Sequence, residues 1–263
     1  MQAALKRLAV LVAALALTPS AAADPPRAGI THVRVPPGTP LVEYGRQLFA
    51  ANCASCHGSD GKGVLTPVQG AGDQKGLGPS LQGVGALAAD FYLRTGYMPL
   101  DDPNQQPRRD QVLFSDQEVR ALVAYVASLG SGPAIPTPHP ERGTLAAGLQ
   151  LFTEHCAGCH QVVAEGGFVT GAIAPPLEDA TPVQIAEAVR IGPYLMPRFS
   201  EKQISDRHLD SIIRYVQYAK HPDDRGGWAI GHVGPVPEGL VTWFIGIAAI
   251  VVTCLVIGRR LRS

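Results

Sequence analysis

Cys53-Ala54-Ser55-Cys56-His57 and Cys156-Ala157-Gly158-Cys159-His160 are the residues whose types and spacing could do chemistry in this chain. Two cysteines three apart at the start of a helix point their sulfurs to one side, where they can form thioethers with the two vinyl groups of a haem. The adjacent histidine is then brought under the iron. In a chain of this composition the pattern should arise by chance about 0.003 times. Two occurrences therefore predict two covalently bound haem c groups, with Cys53, Cys56 and His57 at one and Cys156, Cys159 and His160 at the other.

Two other chemistries use cysteine pairs. Zinc ribbons bring their second pair about 15 to 20 residues after the first, whereas here about 100 residues intervene. Thiol exchange needs Cys-x-x-Cys beside a βαβ pattern, and none is legible. The second axial ligand follows from the chain's three methionines. Met1 is the initiator; Met98 and Met196 stand at matching places, each followed by a stiffening proline, in Tyr97-Met98-Pro99 and Leu195-Met196-Pro197. Met98 and Met196 are thus the sixth ligands, and His57, Met98, His160 and Met196 form the metal set. His32, His139, His155, His208, His221 and His232 lack repeated equivalents and read as surface or local structural residues. Methionine–histidine coordination raises the reduction potential relative to bis-histidine and closes both axial positions. The chemistry is then one-electron transfer, with no catalytic residue. Pro79 and Pro175 are placed to present loop carbonyls to the two imidazoles.

The elements that position these residues occur twice. Gly45-Arg46-Gln47-Leu48-Phe49 runs into the first motif and Gly148-Leu149-Gln150-Leu151-Phe152 into the second, at the same spacing. Each copy continues with a proline-containing loop (Gly78-Pro79-Ser80-Leu81; Ala174-Pro175-Pro176-Leu177) and a short helix ending Arg94-Thr95-Gly96 or Arg190-Ile191-Gly192. The Met-Pro dipeptide follows, and then an amphipathic helix. The last helix of the first copy begins at Ser115 with a capping box to Glu118 and a stripe of Val119, Leu122, Val123 and Val126. Its counterpart begins at Ser205, with Leu209, Ile212, Ile213 and Val216. The segment from Asp101 to Gln111 has no equivalent in the second copy and reads as a solvated loop, with docking of a partner as the alternative.

Charge is balanced, 22 basic against 22 acidic residues, which gives no footprint for nucleic acid. Residues 1–23 read as a signal peptide: Lys6 and Arg7 precede the apolar stretch Leu8 to Leu17, and Ala21-Ala22-Ala23 precede Asp24. Leu240 to Gly258 is an uncharged run of 19 residues closed by Arg259, Arg260 and Arg262, with Trp243 near its other edge. At about 28 Å as a helix it is a membrane span. The positive-inside rule puts the 259–263 tail in the cytoplasm and the haem domains on the outer face of the cytoplasmic membrane. Cytochrome domains over 38–130 and 143–221 are expected, with a Pro/Gly-rich linker over 131–142, a juxtamembrane segment over 222–239 and the transmembrane helix over 240–258.

Each copy resembles a class I cytochrome c domain, carried by Cys53, Cys56, His57 and Met98 and by Cys156, Cys159, His160 and Met196. That resemblance implies an all-α fold around covalent haem. The whole order, including Gly226-Gly227 and the Gly234-Pro235-Val236-Pro237-Glu238-Gly239-Leu240 stretch, resembles the dihaem cytochrome c subunit of actinobacterial-type quinol:cytochrome c reductases. The family's subunit is the electron outlet of a cytochrome bcc complex, part of a translocase, without independent catalysis. The resemblance implies as partners the Rieske iron-sulfur protein, the cytochrome b subunit, an aa-type terminal oxidase or a cytochrome c, and membrane lipid. The alternatives are a free-standing membrane-anchored dihaem carrier or a dihaem subunit of another oxidase or dehydrogenase. A dihaem peroxidase is disfavoured by the two methionines.

Overall fold

The computed structural model describes residues 29–64, 78–100, 106–222 and 235–261. The expected signal peptide, His232 and most of the juxtamembrane segment lie outside them. The first module runs α1 (Leu41–Asn52), α2 (Ala54–His57), α3 (Gly85–Arg94) and α4 (Asp116–Ser128). The second opens on a 3-10 turn (Pro140–Arg142). It continues through α5 (Leu145–His155), α6 (Ala157–His160), the strands β1 (Gly167–Val169) and β2 (Ala172–Ala174), α7 (Pro182–Ile191) and α8 (Asp206–Lys220). A long helix, α9 (Pro235–Arg260), follows. The all-α expectation holds except for the antiparallel pair β1–β2, which a left-handed Gly171 allows to turn within two residues.

Local chemistry explains where these helices start and stop. The Ser115 hydroxyl accepts from the Glu118 amide, and the Glu118 carboxylate accepts from the Ser115 amide at 2.8 Å, completing the capping box. Thr181 and Gln184 do the same for α7, whose first residue is a proline that needs no amide partner. Ser205 caps α8 through the His208 amide at 3.3 Å. Each such cap is worth about 1 kcal/mol. Gly96 (φ 69°) and Gly192 (φ 65°) follow α3 and α7 in the left-handed region, as their spacing foretold.

Each module is closed by a crossing of its first and last helices. Gly45 on α1 faces the backbone of Ala121, and Gly148 on α5 faces Ser211; a Cβ at either glycine would overlap a carbonyl oxygen of the opposite helix. The backbones therefore touch, and Phe49 packs on Tyr125 at 5.1 Å as Phe152 does on Tyr215 at 5.4 Å. Val119, Leu122, Val123 and Val126 are buried in the first core, and Leu209, Ile212, Ile213 and Val216 in the second. A second repeated tie joins the short helix to the last one: Arg94 pairs with Asp116 and Arg190 with Asp206.

Between the modules, 131–139 forms neither helix nor strand and is pinned at both ends. Pro133 accepts from the Leu87 amide in the first module, while the His139 amide donates to Asp210 in the second. The helices α3 and α7 also pack on each other. Residues 106–109 are not the solvated loop the polar sequence suggested, because Gln106 and Arg109 bond to the second module. Arg108, Asp110 and Gln111 stay exposed, and 101–105 lie outside the described residues. In α9, Gly239–Arg260 is long and apolar enough to cross a membrane, and none of it is buried, which distinguishes it from a core helix. The Thr253 hydroxyl donates to the Ala249 carbonyl at 2.8 Å, so even this polar group is satisfied within the helix.

Candidate cofactor sites

Both Cys-x-x-Cys-His motifs are built alike. The chain leaves α1 at Cys53, whose amide still donates to Phe49, and re-enters a helical turn in which His57 donates to the Cys53 carbonyl at 2.9 Å. Cys156 and His160 repeat both bonds, at 2.8 and 2.9 Å. One short turn thus carries two sulfurs and an imidazole in each module.

The imidazoles are fixed from behind. His57 Nδ1 donates to the Pro79 carbonyl at 2.8 Å, and His160 Nδ1 donates to the Pro175 carbonyl at 3.1 Å. A carbonyl can only accept, so Nδ1 carries the proton and Nε2 keeps a free lone pair, the form that binds a metal. Burial pushes the His160 pKa down against the effect of the Pro175 bond, which favours the same neutral form.

Glycines that the sequence reading passed over bring those carbonyls close. Gly63 donates to the His57 carbonyl at 2.8 Å and Gly166 to that of His160 at 3.0 Å, both at positive φ. A Cβ on Gly63 would sit 2.8 Å from the Pro79 carbonyl carbon, and one on Gly166 would sit 2.6 Å from that of Pro175. Each glycine stands six residues after its histidine, a matched offset that could have revealed them.

Burial pushes the Cys53 thiol up to about 12 and the Cys156 thiol up to about 11. A thiol-exchange site needs the opposite shift. Among the described residues no three His, Cys, Asp or Glu side chains gather as a metal-binding group.

In the second module Cys156, Cys159, His160 and Met196 line one cleft, whose empty space with its mouth is about 1350 Å³. Its walls are otherwise mostly apolar, and Met196 packs partly buried against the core. Tyr194 and Leu195 line the cleft and remain exposed, so it opens to solvent. In the first module Met98 is half-buried just after α3, where its amide donates to Tyr92; the Met196 amide donates to Pro193 instead. Two sulfurs on one turn, an imidazole with a free Nε2 and a thioether around an apolar cleft fit a covalently attached haem. Of the other histidines, His32 pairs with Glu118 at 2.9 Å and His139 with Glu141, local structural roles as expected. His155 lines the second cleft and packs on Phe199.

Comparison with known proteins points the same way. The family model described as cytochrome c matches residues 42–130, and that described as cytochrome C oxidase, cbb3-type, subunit III matches residues 143–216. The cytochrome bc1 complex cytochrome c subunit of Corynebacterium diphtheriae is 34% identical over 238 residues, covering 84% of this chain and 81% of the relative. Its counterpart in Mycobacterium tuberculosis is 38% identical over 230 residues, covering 84% and 78%. The Cbb3-type cytochrome c oxidase subunit CcoP of an Azospirillum species is 31% identical over 197 residues, covering 65% and 60%.

Proposed function

Because the chain belongs to the family of cytochrome c subunits of the cytochrome bc1 complex, we propose that it is the electron outlet of a membrane quinol:cytochrome c reductase. The observation that carries the reading is the duplicated site: in each module a Cys-x-x-Cys-His turn has its imidazole held through Nδ1 by a proline carbonyl. When bound, each haem c supplies a one-electron iron couple. The chain's own residues bind, orient and shield it. Cys53 and Cys56, and Cys156 and Cys159, would anchor it, and His57 with Met98, and His160 with Met196, would hold the iron. Held by a histidine and a methionine, the group would supply electron exchange rather than oxygen or peroxide chemistry, and the opening beside Tyr194 and Leu195 would give a partner access.

The domain boundaries at 38–130 and 143–221 are supported by family matches that end at 130 and resume at 143. The partners we assign are the Rieske iron-sulfur protein and the cytochrome b subunit on the donor side, and an aa-type oxidase or a cytochrome c on the acceptor side. In this arrangement α9 anchors the chain, the haem modules face outward and Arg259 and Arg260 close the helix on the cytoplasmic side. A second reading, a dihaem subunit of another oxidase, draws on the cbb3-type match and the CcoP relative, whose length the match covers by only 60%.

Purification of the tagged chain in mild detergent separates the two. Under the first reading a b-type cytochrome and a Rieske protein accompany it, and reduced-minus-oxidised spectra contain both b- and c-type haem. Recovery with oxidase subunits and without a Rieske protein would favour the second.

A further inference from the structure

The cleft of the second module is not built by that module alone. Gln106, in the first module's sequence, meets β2 through its side chain. Its side-chain amide donates to the Ile173 carbonyl at 2.8 Å and accepts from the Ile173 amide at 2.9 Å. Three residues on, the Arg109 guanidinium donates to the Asp179 carbonyl at 2.9 Å and to the Gln184 side-chain oxygen at 3.1 Å. Gln184 is buried, and its nitrogen reaches back to the Arg94 carbonyl at 3.1 Å, so the Arg109 end of the strap is tied back to the first module. Gln106, Arg109 and Gln184 line the same cleft as Cys156, His160 and Met196.

The placement of the charge is what the hydrogen bonds alone do not explain. Arg109 is half-buried while the adjacent Arg108 is exposed. Both oxygens that Arg109 bonds are neutral, so it brings a positive charge to the wall of a mostly apolar cavity, with Lys220, Asp179 and Glu178 in the same neighbourhood. Reduction of a haem iron removes one unit of positive charge, and a nearby cation in a low-dielectric wall favours that. We propose that Arg109, carried by the first module, is a positioning residue for the cofactor of the second, bracing one wall of the cleft and raising that haem's reduction potential.

The proposal rests on haem c being attached at Cys156 and Cys159. A unit charge in the cleft wall, at an effective dielectric of about 20, is worth on the order of a factor of ten in the oxidised-to-reduced ratio. For one electron, that factor is about 59 mV. Arg109 also influences Tyr97, beside Met98, so the first haem should feel a smaller effect in the same direction.

The test is a spectroelectrochemical titration of the full-length, detergent-solubilised holoprotein, with covalent haem counted per chain. Arg109→Gln should keep two haems and lower one potential by about the tenfold ratio, with the other falling less. Arg109→Lys should restore most of the shift, and Arg108→Gln should move neither. Combining Arg109→Gln with Met196→His, which lowers the second haem's potential through its axial ligand, should move the same titration step twice. Unchanged potentials in Arg109→Gln, an equal fall of both, or a larger fall of the haem not affected by Met196→His would overturn the proposal. Fewer than two covalent haems in the unaltered protein would instead refute the haem reading itself, and this inference with it.

Discussion

An imidazole that binds iron through Nε2 has to be held by its other nitrogen, and the Pro79 and Pro175 carbonyls do this in both modules. That much was legible, because the motif and the proline loop recur at matching places. The glycines that allow the carbonyls in were not, because a close backbone approach is a tertiary fact that composition does not announce. Gly63→Ala or Gly166→Ala should push the proline carbonyl off its histidine; we expect lower haem content at the altered site, read as covalent haem per chain, with the other site intact. Met98→Ala or Met196→Ala makes the opposite prediction. Both haems should stay attached, since the thioethers are untouched, but one should turn high-spin when oxidised and admit an exogenous ligand such as cyanide. Spectra that remain low-spin in either variant would remove that methionine from the ligand set.

Helix contacts carry the next level of control. The stripes on α4 and α8 were readable from their 3.6-residue period, and both proved to be core. What the period could not reveal is how closely the partners approach at Gly45 and Gly148. Gly148→Ala should cost about 1–3 kcal/mol through overpacking, measured as a lowered unfolding midpoint. The α3–α7 contact between the modules holds a fully buried Glu187 beside Asp90. Burial first, and then the nearby Asp90 carboxylate, raise its pKa from 4.5 to about 8, against the pull of Arg94, which is itself paired with Asp90 and Asp116. Folding therefore favours the neutral acid. Its contribution is fully present below about pH 4.5 and is lost as pH rises through about 8. Denaturant unfolding of the detergent-solubilised holoprotein should show Glu187→Gln gaining on the unaltered chain between pH 5 and pH 8, by on the order of a few kcal/mol. A difference that does not change with pH would place Glu187 in contact with water or a partner.

For the whole molecule, the sequence announced two modules and a membrane helix because each is a one-dimensional pattern: a repeat in one case, an unbroken apolar run in the other. It concealed the strap from Gln106 to Arg109, since a polar loop with two arginines reads as solvent-facing until the surface it crosses is known. If α9 is the anchor, a chain ending before Pro235 should leave the membrane fraction and still carry two covalent haems. The path through the assembly is tested most directly by rapid mixing of the purified complex with a quinol, following b-type and c-type haem separately. The account predicts that both haems of this chain are reduced within a turnover, and that removing the Rieske protein abolishes their reduction while b-type haem can still be reduced. Haem c that stays oxidised in the intact complex while quinol is consumed would contradict it.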